Sequence, residues 1–102
     1  MTPEERNKIL VRAIATYGEA SQMNMAIEEM SELIKALCKL KRAETTAEWN
    51  AAVGNVIEEM GDVQIMLDQL KIIFKSDAKA LAAVDHIKLK RLEKRIKEEK
   101  KR

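Results

Sequence analysis

The 102-residue chain contains one cysteine, one proline, three glycines, one histidine, and a single tryptophan, tyrosine and phenylalanine. Each scarcity removes a class of function. Cys38 alone makes no internal disulfide, and with His86 as the sole histidine there is no Cys/His zinc cluster. A reducing cytoplasm fits that cysteine usage. Gly18, Gly54 and Gly61 are far apart in the chain, so no glycine-rich loop can cradle a phosphate, and any phosphate handling falls to metal and side chains. No apolar run approaches the roughly 18–20 residues of a membrane span. The acidic opening Met1-Thr2-Pro3-Glu4-Glu5 is also unlike the basic start of a signal peptide.

Aliphatics, methionine and helix formers are what the chain does have. Leu, Ile, Val and Phe make up 25 of its residues, enough for one domain to fold, with 46% of residues apolar and 35% charged. A chain of this length buries only about 60–65% of its unfolded surface, so oligomerisation would help it. The expected domain covers residues 1–97, with a charged end at 98–102 that frays.

With so little Gly and Pro, the breaks locate the elements. Thr2-Pro3-Glu4-Glu5 has the form of a capping box with proline at the first helical position, opening a helix that ends near Gly18. Ser21 is a plausible N-cap for a second helix to about Arg42, with Met23, Ala26, Met30, Leu33, Leu37 and Leu40 along one face. Thr45-Thr46-Ala47-Glu48 offers another capping box for a long third helix carrying Trp49, Val53, Val56, Met60, Val63, Leu67, Leu70 and Phe74. Ser76-Asp77 restarts the chain into a fourth, with Leu81, Asp85, Leu89, Leu92 and Ile96 on one side. Four helices with short turns imply an all-α antiparallel four-helix bundle. Ile65 and Ile72 add apolar surface to helix three, either as a subunit interface or because that helix is buried all round.

Two segments carry the chemistry, Ile27-Glu28-Glu29-Met30-Ser31-Glu32-Leu33 and Ile57-Glu58-Glu59-Met60-Gly61-Asp62-Val63. Glu29 and Glu32 lie one turn apart on one side of helix two, and Glu59 and Asp62 do the same on helix three. A lone Glu-x-x-Glu is usually solvated surface, but one on each of two facing helices weakens that explanation. Glu59 falls among Val56, Val63 and Met66, where a carboxylate is costly to bury without a partner. Lys35 and Lys39 fall on the solvent face and Lys71 is three turns away, so a hard divalent cation is the expected partner. Glu28 and Glu58 sit further out, as surface or supporting residues, and Asn55, one turn before Glu59, could reach substrate or a metal-held water. Gln22 and Asn24 are further polar candidates on helix two.

Charge is uneven: residues 86–102 hold nine Lys/Arg against three Asp/Glu, whereas residues 1–85 hold ten against fourteen. Lys88, Arg91 and Arg95 share one edge of helix four. They form either a solvated basic face or, beside an acidic metal site, the cations that a polyphosphate needs.

The texts Ala26-Ile27-Glu28-Glu29-Met30-Ser31-Glu32-Leu33-Ile34-Lys35 and Glu58-Glu59-Met60-Gly61-Asp62-Val63 resemble the signature of the MazG-like all-α nucleoside triphosphate pyrophosphohydrolases, especially short phage and bacterial members. Lys88-Leu89-Lys90-Arg91-Leu92-Glu93-Lys94-Arg95-Ile96 is similar to the last helix of those members. The resemblance implies a MazG-like bundle, while its completion as a homo-oligomer, dimer or tetramer, and a cytoplasmic setting are expected from the length, the extra apolar strip and the cysteine usage. It also implies Mg²⁺, with Mn²⁺ as a substitute, on Glu29, Glu32, Glu59 and Asp62 as metal-binding and catalytic residues, and phosphate on Lys88, Arg91 and Arg95. The expected reaction converts a (d)NTP substrate to (d)NMP and pyrophosphate by water attack at the α-phosphorus. Two other classes compete, a non-catalytic helical oligomer or protein-interaction module and, ranked lowest, a nucleic-acid binder using the basic tail.

Overall fold

A computed structural model describes residues 1–101, and they form four α-helices: α1 (Pro3–Tyr17), α2 (Glu19–Lys41), α3 (Thr46–Ile73) and α4 (Ala78–Lys100). Helix accounts for 88% of the structure and there is no strand among the described residues, which makes the fold class all-α, as expected. No helix among them is long and apolar enough to cross a membrane. Helix α4 continues three residues beyond the expected domain limit at 97, and Arg102, the last of the charged stretch 98–102, lies outside the described residues.

Local chemistry sets most of the boundaries. Thr2 Oγ1 accepts from Glu5 N at 3.1 Å while Glu5 Oε2 accepts from Thr2 N at 3.2 Å, a complete capping box with Pro3 in the first turn. Helix α2 begins two residues before Ser21, and its N-cap is Gly18, which makes no side-chain cap bond. Gly18 has φ +92°, a conformation that side chains rarely adopt, so the α1–α2 corner is set by glycine rather than by a serine cap. At α3, Thr45 Oγ1 accepts from Glu48 N at 3.1 Å, but the Glu48 carboxylate reaches one residue further back, to Glu44 N at 3.0 Å. Asp77 caps α4 by accepting from Ala80 N at 2.7 Å. Before it, α3 closes with Lys75 in the left-handed region and Ser76 N donating to Lys71 O at 3.0 Å, a Schellman-type stop.

The core lies between α2 and α3. Ala26, Ala36, Ala52, Val56 and Met66 are buried there, and the small side chains let the two backbones approach closely. Gln22 Nε2 donates to Gln69 Oε1 at 2.7 Å between these helices, and Glu29 stands beside Asp62, seven residues on along α2 and seven back along α3. The pair is therefore antiparallel and in constant register. Helix α1 lies across one side, held by buried Leu10 and by Arg6 Nη1 to Asp68 Oδ2 at 2.8 Å.

Helix α4 stands apart, since no Cα of it comes within 8 Å of one in α1, α2 or α3. The expected four-helix bundle is thus a three-helix body plus a projecting helix within the single chain. Its Val84, Ile87, Leu89, Leu92 and Ile96 are exposed. The radius of gyration is 17.5 Å, against roughly 13 Å for a compact domain of about 100 residues. The apolar stripe of α3 is also only partly used. Trp49, Met60 and Phe74 are 50%, 55% and 63% exposed, because α2 draws the neighbouring Ala52, Val56 and Met66 inward instead. Ile72 lies beside α1 with Arg6 and Leu10, which removes it from the extra strip expected with Ile65, and Ile65 remains exposed.

Candidate metal centre

Midway along the α2–α3 seam, between the Ala26 and Met66 layer and the Ala36 and Val56 layer, three carboxylates meet. Glu29, Glu59 and Asp62 each bring one oxygen so that all three lie within 4.8 Å of one another. Opposite ligands on Mg²⁺ are separated by about 4.2 Å, given a metal–oxygen distance near 2.1 Å, so small side-chain rotations suffice to close on such an ion. Glu29 and Glu59 are half-buried and Asp62 is exposed, which leaves one side open to solvent. Glu59 Oε2 is buried with no hydrogen-bond partner among the described residues. A carboxylate oxygen removed from water and left unpaired is costly, and a hard cation would satisfy it.

The electrostatics agree with crowding. Partial burial raises the Glu59 carboxyl above the usual carboxylate range, with the charges of Asp62, Glu32 and Glu58 adding to the effect. Glu29 is raised in the same way, first by burial and then by Asp62, Glu59 and Glu28. Like charges placed together without a cation hold protons more tightly.

The fourth expected carboxylate behaves differently. Glu32 is half-buried and lies outside the converging trio, with its Oε1 accepting from Lys35 Nζ at 3.3 Å. Lys35 was expected on the solvent face, away from the carboxylates. It is exposed, yet it turns back one helical turn to pair with Glu32. Lys71 is occupied as expected far from Glu59, donating to Asp68 at 3.2 Å. Glu28 and Glu58 are exposed on the flanks.

The basic residues of α4 are not part of this centre in the single chain. Lys88, Arg91 and Arg95 do share one side of their helix, with Lys94 and Glu98, around a shallow groove of about 460 Å³. No ion pair joins them to the acids among the described residues, and α4 does not approach the body.

Two features escaped the sequence reading. Gln22 is 6% and Gln69 3% exposed, and their mutual hydrogen bond with Gln69 Nε2 to Met66 Sδ at 3.7 Å makes them a buried structural pair rather than a polar substrate contact. Lys39 is exposed on the solvent face as expected, but it also borders a cavity of about 480 Å³ together with Arg42, Glu48, Ala51, Ala52 and Asn55, which the reading of the sequence missed. The signal was present in the spacing, since Lys39 follows Glu32 by seven residues and Asn55 precedes Asp62 by seven, which keeps cavity and acids on one side of the seam.

No family model matches the chain, and neither a curated protein nor a solved structure matches it.

Proposed function

We propose that the protein is a Mg²⁺-dependent nucleoside triphosphate pyrophosphohydrolase of the MazG-like kind, converting a (d)NTP to (d)NMP and pyrophosphate in the cytoplasm. One observation carries this reading: three carboxylates converge across two helices, with a buried Glu59 oxygen that no group among the described residues satisfies. Hard oxygen donors of this kind select Mg²⁺, with Mn²⁺ as a substitute. Such a cation, when bound, neutralises the phosphate chain and lowers the pKa of water.

Glu29, Glu59 and Asp62 are the residues that would hold it. Glu32 is tethered only by an exposed lysine, so its carboxylate can swing from Lys35 to orient water or join the centre. Water adds to the α-phosphorus, the bond to the bridging oxygen breaks, and pyrophosphate departs with the electron pair while a carboxylate of the cluster takes the proton. No covalent nucleophile is required.

The working unit is a homo-oligomer, dimer or tetramer. The chain exposes 8356 Å², whereas a compact monomer of this mass exposes about 5,800 Å². The excess exceeds the roughly 1,600 Å² of a standard interface. A neighbour's α4 laid along Trp49, Met60 and Phe74 would complete the bundle and carry Lys88, Arg91 and Arg95 toward the phosphates.

Those same uncovered faces favour the rival reading, a non-catalytic helical oligomer. A panel of common NTPs and dNTPs, assayed for pyrophosphate release with Mg²⁺ and with EDTA, separates the two. Metal-dependent release of pyrophosphate is the expected result. Folded protein that releases none, and that gains no Mg²⁺-dependent thermal stability from any nucleotide, would overturn the proposal in favour of the oligomer.

A further inference from the structure

The cavity lined by Lys39 and Arg42 has no role in a site built from carboxylates alone. It lies on the acid-bearing side of the seam, with Lys39 about 10.5 Å along α2 from Glu32 at the helical rise per residue. Ala51 and Ala52 line it, and Asn55 is on its acid-facing side, four residues before Glu59. The other cations of α2 and α3 near the seam are already engaged, Lys35 by Glu32 and Lys71 by Asp68, and Arg6 of α1 is held by Asp68 as well. Lys39 and Arg42 enter no ion pair among the described residues. The one carboxylate on the rim, Glu48, is turned onto the Glu44 amide.

We infer that this cavity is the pyrophosphate subsite, in which Lys39 and Arg42 bind the two terminal phosphates of a nucleoside triphosphate and Asn55 donates to them. The inference rests on the proposed reaction and gives the substrate a direction. The α-phosphorus lies at Glu29, Glu59 and Asp62, the leaving group points toward the α2–α3 turn, and the nucleoside extends the other way along the seam. Arginine and lysine at the end of flexible stems match a polyanion whose charge grows as the bridging bond breaks. Every one of these cations belongs to the same chain as the acids, so this subsite does not depend on a neighbour's α4.

Calorimetric titration of magnesium pyrophosphate into the full chain tests it, comparing wild type, the Lys39→Gln/Arg42→Gln pair, and Lys41→Gln as a control that removes one charge outside the cavity. Loss of two charge-assisted contacts should weaken pyrophosphate binding by roughly 100-fold, with little change in Lys41→Gln and unaltered helicity in all three. Affinity for the nucleoside monophosphate product should not move, which a merely structural effect would not spare. Equal pyrophosphate affinity in wild type and the double variant overturns the subsite even if hydrolysis stands. Charge-dependent binding without hydrolysis of any nucleotide supports the subsite and sinks the proposed reaction. Wild type that binds no pyrophosphate overturns the subsite outright.

Discussion

Glu59 is the residue at which stability and function oppose each other. Its carboxyl and that of Glu29 are raised by burial and by neighbouring acids, so the folded state holds their protons more tightly than the unfolded state does. In metal-free protein each therefore lowers stability as pH rises from the ordinary carboxylate range through the raised value, and restores it as pH falls again. Glu59→Gln should accordingly melt higher than wild type near pH 7 without metal, with the gap closing toward about pH 4 as wild-type Glu59 protonates. The same variant should lose turnover and the thermal stabilisation that Mg²⁺ gives wild type. Calorimetric melts with and without Mg²⁺ check both, and a variant that melts lower without metal would contradict the assignment. Asp68 has the opposite sign. Partial burial pushes it up, but hydrogen bonds from Lys71, Arg6 and Gln64 outweigh this and hold it below the usual range. Its contribution is present above the unfolded value, about pH 3.9, and is lost as pH falls through the lowered one.

At the scale of the elements, the α2–α3 pair is held in register by layers that alternate in chemistry. Gln22 and Gln69 form one such layer, and removing a single partner strands the other in the core. Gln69→Ala should cost about 1–3 kcal/mol in denaturant unfolding, whereas the joint Gln22→Leu/Gln69→Leu change should be close to neutral. At the far end of α3, Lys75 occupies a left-handed conformation with φ 54° that a side chain pays for. Lys75→Gly should stabilise by about 1 kcal/mol, measured in the same unfolding assay. The existence, type and most ends of all four helices were legible in the sequence, because caps such as Thr2 with Glu5 and Asp77 act through bonds three residues long. The start of α2 was not, since Gly18 sets that corner by backbone conformation and leaves no capping side chain to read. Periodicity also identified an apolar side of α3 without revealing which part of it α2 would choose. Short Ala26, Ala36 and Ala52 decided that, by allowing close approach where larger residues would not. The acids at Glu29, Glu59 and Asp62 were legible because antiparallel pairing brings equal helical spacings opposite each other. Lys35 is on the solvent face as expected, but its pairing with Glu32 was not legible, because an exposed side chain can still fold back one turn.

At the scale of the whole molecule, the single chain leaves much apolar surface uncovered, which is why the proposed working unit is an oligomer. No Cα of helix α4 comes within 8 Å of one in α1, α2 or α3, so the helix has no packed partner helix within the described residues of its own chain. In the proposed oligomer, α4 of one protomer lies along the open strip of α3 of another. Leu89→Asp/Leu92→Asp should shift the protein to monomer in sedimentation or light scattering, and thermal stability of wild type should rise with protein concentration. A variant that keeps the wild-type mass would show that α4 is not the interface. Length and the extra apolar residues of helix three led to the expectation of an assembly, but no periodicity states whether a terminal helix packs on its own chain or on a neighbour. The reaction itself is tested most directly by hydrolysing a nucleoside triphosphate in heavy-oxygen water with Mg²⁺ and locating the label. Water attack at the α-phosphorus places it in the nucleoside monophosphate and leaves pyrophosphate unlabelled. Label in pyrophosphate, or products of nucleoside diphosphate and inorganic phosphate, would contradict the account.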